Sequence, residues 1–127
     1  MSHESTLQAS FLLVQPLELP SLRFFRRNIG EAKLRGGYTV KFGIAGQFDF
    51  YAIQTGGLHI EVELKSSTGT LRPAQREWRD FCIAWKIPFV ILKGRHEESV
   101  DDTVKRWIEE MRELLSRHSS GSQALST

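Results

Sequence analysis

In the stretch Ile60-Glu61-Val62-Glu63-Leu64-Lys65, alternate positions carry two carboxylates and one ammonium. An extended chain turns alternate side chains to the same side, so Glu61, Glu63 and Lys65 share one face while Leu64 turns the other way, toward a core. Asp49 stands on the β-rich run just before, separated from this stretch by a short glycine-containing turn. Two carboxylates, Asp49 and Glu63, together with the backbone carbonyl of Leu64 suit Mg²⁺, which prefers oxygen ligands and keeps several of its own waters. Mn²⁺ is a possible substitute. Such a metal acidifies water and neutralises phosphate charge, and Lys65 beside it would orient the nucleophile and stabilise developing negative charge. The chemistry expected is metal-dependent hydrolysis of phosphodiester bonds; without a cation or its substrate, Asp49 and Glu63 would repel each other. A solvated strand face with ordinary cross-strand charge pairing has the same pattern, so Glu63-Leu64-Lys65 alone decides little.

The elements that must position these residues can be read from periodicity. Leu7, Phe11 and Val14 recur at helical spacing from Glu4 to Val14, with Pro16 and Pro20 expected to stop the helix. Leu22 to Ile29 reads as extended up to Gly30, and Gly36-Gly37 turns the chain into a strand from Tyr38 to Phe42. Gly43 to Gly46 is a tight connection into a third strand, Phe48 to Ile53, and Thr55-Gly56-Gly57 is a hairpin turn into Leu58 to Lys65. That hairpin sets Asp49 near Glu63 across antiparallel neighbours. After the polar loop Ser66 to Thr70, Pro73 suits a first helical position, and Ala74, Trp78, Phe81, Cys82 and Trp85 form an apolar stripe. The continuous apolar run Ile87 to Leu92 predicts a buried, central strand. Ser99 to Asp102 resembles a capping box opening a last helix, with Val100, Val104, Trp107, Ile108, Met111, Leu114 and Leu115 facing inward. On these stripes Trp78, Phe81, Trp85 and Trp107 read as core rather than as base-stacking platforms.

At 127 residues the chain fits one domain, expected over 1–118, with a polar, flexible tail over 119–127. No apolar run approaches the roughly 20 residues of a membrane span, and the N-terminus lacks a basic-then-apolar leader. A soluble cytoplasmic protein without a membrane partner is expected. The single Cys82 reads as packing, and His3, His59, His96 and His118 lack zinc-site spacing. The net charge is only +2, but from Ser21 to Gly43 six basic residues (Arg23, Arg26, Arg27, Lys33, Arg35, Lys41) face Glu31 alone. A field of that sign favours a polyanion, and a solvated basic surface is the plainer alternative.

Four ordered blocks carry a family resemblance: Arg26-Arg27-Asn28-Ile29-Gly30, Val40 to Asp49, Glu61 to Lys65, and Gly69 to Gln75. Over roughly Glu4 to Leu92 the chain resembles the VRR-NUC domain of the PD-(D/E)XK nuclease superfamily. The resemblance implies a restriction-endonuclease-like α/β/α core around a small mixed sheet. It implies Asp49 and Glu63 as metal ligands, Lys65 as the catalytic lysine and Gln75 as the helix-borne residue of the active site. Gln at the third helical position can equally reach back to cap its helix. Glu4 matches the acidic residue of the family's first helix, which can serve a second metal, although a glutamate in a first turn is also favoured by the helix dipole. Two departures are Phe48 in place of Pro and Arg72 in place of a small capping residue.

Arg26 and Asn28 match a first-strand feature that contacts phosphate or supports the site, or they bridge the sheet edge and the glycine loop. With Arg27, Lys33, Arg35, Lys41 and Arg72 they form the candidate DNA-contacting set. The short stand-alone members that the chain resembles are homodimeric, structure-selective enzymes acting on branched DNA, including four-way junctions. The rivals are a nucleic-acid-binding module without independent turnover, and a nuclease of flaps, nicks or single strands.

Overall fold

A computed structural model describes residues 3–28 and 30–125 of the chain. It is a mixed α/β structure in the order α1 (His3–Glu18), β1 (Leu22–Arg26), β2 (Gly30–Lys33), β3 (Thr39–Phe42), β4 (Phe50–Gln54), β5 (His59–Lys65), α2 (Pro73–Ala84), β6 (Phe89–Lys93) and α3 (Val100–Leu125). Strands β1, β4, β5 and β6 lie side by side in that order, antiparallel except for the parallel β5–β6 pair, which α2 connects. Strands β2 and β3 pair with each other in a separate two-stranded ribbon.

The alternation of β5 decides what lies on each face of the sheet. Ile60, Val62 and Leu64 point to one side and join Leu7 and Phe11 of α1 and Trp107, Ile108 and Met111 of α3 in the core. There Phe11 meets Phe24 and Trp107 edge-on, at ring separations of 5.3 and 5.7 Å, an arrangement that aromatic quadrupoles favour. Glu61 and Glu63 point to the other side, under α2, and both are buried. Helix α3 is tied to the end of β6 by Arg106 and Trp107, which donate to the Lys93 carbonyl at 2.6 and 3.2 Å. Its N-terminus is capped as expected, the Asp102 N–H donating to Ser99 Oγ at 3.1 Å. No helix among the described residues is long and apolar enough to cross a membrane.

Several elements differ from the sequence reading. Helix α1 runs past Pro16 to Glu18. Pro16 removes one bond, the one an N–H there would make to the Leu12 carbonyl, and Gln15 secures the end by donating from Nε2 to the Leu19 and Leu22 carbonyls at 3.0 and 2.6 Å. The strand expected over Leu22 to Ile29 stops at Arg26, and β2 and β3 leave the sheet, so β1 pairs directly with β4. Asp49 sits immediately before β4, not within it. Strand β6 is an edge strand of the described sheet, paired only with β5, and of its run only Leu92 is fully buried while Phe89, Val90 and Ile91 are half-buried. Of the stripe on α2 only Cys82 is fully buried; Trp85 is 71% exposed and Phe81 36%. Polar Glu61, Glu63 and Gln75 take the space that an apolar stripe would otherwise fill. The helical backbone of α3 extends to Leu125, across most of the segment read from composition as a tail. Ser126 and Thr127, like Ile29 of the first block, lie outside the described residues.

Gly46 locks the loop before Asp49 onto α2. Its φ is +91°, and a Cβ there would lie 2.4 Å from the carbonyl oxygen of Ala74. Gly56, at φ +103°, faces open space and sets the scale of left-handed strain alone, about 1–2 kcal/mol. Gly46→Ala is therefore expected to destabilise clearly more than Gly56→Ala in urea melts. Equal losses would mean that the loop and helix are not packed as described.

Candidate active site

Three segments meet at Glu63: β5, α2 and the residue before β4. The pairing of β4 with β5 ends at Phe50↔Val62, which leaves Asp49 opposite Glu63 with a free backbone donor. That N–H donates to Glu63 Oε1 at 3.0 Å, while the Asp49 carbonyl accepts the Arg27 N–H at 2.7 Å. The backbone of Asp49 is thus held from both sides. Gln75 Nε2 donates to Glu63 Oε2 at 2.7 Å, and Lys65 Nζ lies 3.4 Å from the same oxygen. Leu64, whose carbonyl was expected to complete a metal site, lies between Glu63 and Lys65 beyond the last β4–β5 pair.

Gln75 satisfies both of its expected roles at once. Pro73 opens α2 at a position that needs no N–H, and Arg72 before it has no side-chain acceptor to cap the helix. Gln75 Oε1 reaches back to accept the Arg72 N–H at 3.0 Å, which leaves Nε2 directed at Glu63. The cap fixes the orientation of the amide, so a donor faces the carboxylate.

The two glutamates of β5 have opposite environments. Glu61 accepts from Arg27 through both guanidinium ends at 2.6 and 2.9 Å, from Trp78 Nε1 at 3.0 Å, and contacts His59 Nε2 at 2.5 Å. A carboxylate offers about four acceptor positions, and all are filled. Burial opposes the charge of Glu61, but the donors Arg27 and His59 outweigh it and hold its pKa below the ordinary value. Glu63 is pushed the other way, first by burial and also by the charge of Asp49, against which the Asp49 N–H and Lys65 are insufficient.

This arrangement fits a small hard cation. A fully buried carboxylate faces a second carboxylate with one ammonium nearby, so the pair lacks positive charge, and three donor contacts leave an acceptor position on Glu63. Asp49 and Glu63 are the side chains that would hold the ion. Among the described residues no three His, Cys, Asp or Glu side chains come together as metal ligands. Glu4, half-buried in the first turn of α1, therefore does not join the pair.

The candidate DNA-contacting residues divide sharply. Arg27 is removed from the set: its guanidinium is spent on Glu61 and on the Phe48 carbonyl at 2.9 Å, and it lies over the Tyr51 ring. Arg26 turns to the α1 face, over Phe50 and 3.2 Å from Gln8 Oε1. Asn28 and Arg72 are exposed near the site, and Lys33, Arg35 and Lys41 are exposed on the β2–β3 ribbon. Sequence reasoning missed the cluster of Arg27, His59 and Trp78 around Glu61. The signal available was parity, since His59 and Glu61 share the face of Glu63, and Trp78 follows Gln75 by one helical turn.

The site belongs to an α/β protein with a buried glutamate, Glu63, and a half-buried aspartate, Asp49, at the end of a β-hairpin. Compared with models of known families, with curated proteins and with solved structures, the chain matches none of them.

The two glutamates are expected to give opposite pH signatures in metal-free thermal melts. Arg27→Ala leaves Glu61 buried without its cation, which costs about 3 kcal/mol near neutral pH. Because the folded pKa of Glu61 lies below its ordinary value of 4.5, that stabilisation is present above 4.5 and fades as pH falls through the folded pKa. Glu63 has a folded pKa above 4.5, so the wild type loses stability relative to Glu63→Gln as pH rises from 4.5 through that value. Parallel pH curves for wild type and Glu63→Gln would contradict the assigned environment.

Proposed function

We propose that this chain is a metal-dependent DNA endonuclease of the VRR-NUC type, with a restriction-endonuclease-like core, acting on branched DNA. The observation that carries the reading is the convergence of Asp49, Lys65 and Gln75 on the buried carboxylate of Glu63. Asp49 and Gln75 come from segments other than β5, which carries Glu63 and Lys65, and their convergence supports the roles that the superfamily resemblance implies. A solvated strand face would leave Glu63 exposed, whereas it is wholly buried. A fully buried carboxylate without a guanidinium partner is costly to keep charged, which a purely structural role does not justify.

Bound Mg²⁺, or Mn²⁺ in its place, would supply charge to the phosphate oxygens and acidify a water. Asp49 and Glu63 would hold the ion, and the double anchoring of the Asp49 backbone fixes that residue opposite Glu63. Gln75 holds the Glu63 carboxylate in place through a neutral donor, which orients it without cancelling the charge that the ion needs. Lys65 is 13% exposed and can reach from Glu63 toward the phosphate, where an ammonium stabilises charge that develops as the P–O bond breaks. Exposed Asn28 and Arg72 lie beside the site for phosphate contact.

The homodimer of the reading is supported by exposed Phe81 and Trp85, whose rings pack 5.2 Å apart at the end of α2. Exposed aromatic rings packed on each other suit an interaction surface, and a two-fold pair would supply two matching cuts to a symmetric junction. Light scattering should give twice the chain mass, reduced to the chain mass by Trp85→Glu; a monomeric wild type would refute the dimer.

Purified protein with Mg²⁺ is expected to cut labelled four-way junctions in preference to linear duplex, flap or single strand. Glu63→Gln and Lys65→Ala should lower the rate at least about a thousandfold, the scale of removing a positioned charge, with unchanged circular dichroism. Near-wild-type cutting by either variant would remove that residue from the mechanism. Binding without cutting of any substrate would favour a module that only holds DNA.

A further inference from the structure

Among the described side chains of the β2–β3 ribbon none is buried. The ribbon pairs only within itself, and Glu31, Lys33, Leu34, Arg35, Tyr38, Thr39 and Lys41 are all exposed, with Ala32 and Val40 only half-covered. An isolated two-stranded hairpin is marginal in water, so a ribbon standing off a folded domain is best accounted for by something it grips. Its charge indicates what that is. Lys33, Arg35 and Lys41 outnumber Glu31, which lies 4.0 Å from Lys41, so the unbalanced positive charge is at the tip.

The tip is also built to present an aromatic ring. Gly36 and Gly37 turn the chain at φ +93° and +88°, and the Leu34 N–H donates to the Tyr38 carbonyl at 2.6 Å. This closes the loop with Arg35 inside it and Leu34 and Tyr38 at its base, Tyr38 73% and Leu34 51% exposed. A ring and an alkyl chain beside a guanidinium make a surface that stacks on a nucleobase while holding its phosphate.

The root of the ribbon lies at the candidate active site. The chain departs just after Arg27, whose N–H is bonded to the Asp49 carbonyl, and returns through Gly46, packed on Ala74 beside Gln75. Four residues of strand extend about 13 Å, comparable with the roughly 12 Å width of a major groove, which admits a two-stranded ribbon.

We propose that the β2–β3 ribbon is a DNA-gripping arm: Lys33 and Arg35 hold phosphates flanking the scissile bond, and Tyr38 stacks on a base left unstacked at a branch or break. It rests on the nuclease reading for its substrate, and it supplies a physical basis for preferring interrupted DNA. A continuous duplex satisfies only the phosphate contacts; a branch point also offers the ring a partner.

The test is fluorescence anisotropy on a continuous duplex and a four-way junction, with Ca²⁺ in place of Mg²⁺, alongside cleavage in Mg²⁺. The double variant Lys33→Ala/Arg35→Ala should weaken binding to both DNAs about tenfold and reduce the slope of log K against log salt by about two. Tyr38→Ala should weaken junction binding about tenfold, leave duplex binding within about twofold and abolish the quenching of 2-aminopurine at the branch point. Tyr38→Phe should restore both junction readouts. Wild-type affinity and slope in the double variant, with the wild type still binding and cutting, would overturn the arm and leave the nuclease reading standing. Wild type that binds but never cuts, with the variant losses as stated, would support the arm and overturn the enzyme. Wild type that binds neither DNA would overturn both, and the ribbon would then belong to a different partner.

Discussion

The structure depends on a carboxylate that has been taken out of water. Glu63 lies in the middle of the domain, between β5 and α2, and its charge is sustained by an amide, a backbone N–H and one ammonium. That arrangement dictates much around it. Helix α2 presents Gln75 inward, and its apolar side chains Phe81 and Ile83 are exposed, as is Trp85 just after its end. Strand β4 must begin after Asp49, so that an unpaired N–H remains for Glu63 Oε1. Packing on the other face, around Phe11, Val62, Leu64 and Trp107, supplies the apolar burial that tolerates this polar interior.

Two residues away on the same strand, Glu61 shows the alternative solution to the same problem. Its charge is neutralised by a bidentate arginine, with an indole and an imidazole filling the remaining positions. A carboxylate so saturated has nothing left to offer a ligand and serves to hold β1, β5 and α2 together. Glu63 lacks a guanidinium and keeps an acceptor position. The contrast between a sated and an unsated carboxylate on one face separates structural from candidate functional charge here more sharply than burial, since both are buried.

Much of this was legible from residue types and spacing. The glycine turn at Thr55-Gly56-Gly57 and the alternation of β5 place Asp49 opposite Glu63, and Pro73 with Gln75 places the amide above them, because these depend on local backbone rules. What was illegible depended on partners distant in sequence. That Glu61 is saturated could not be read locally, since Arg27 reaches it across the sheet. An apolar run such as Ile87 to Leu92 reads alike in an edge strand and a central one. The stripe on α2 has helical period, but period does not reveal that Glu61, Glu63 and Gln75 occupy the space beneath it. Gly36-Gly37 announces a turn, yet not that the strands it joins leave the main sheet.

The most direct measurement is calorimetric titration of Mn²⁺ into the wild type and into Glu63→Gln, both first shown to be folded. Saturable binding by the wild type and its loss in the variant are expected if the Asp49–Glu63 pair is a cation site. Absence of binding in the wild type, or equal binding in Glu63→Gln, would contradict it.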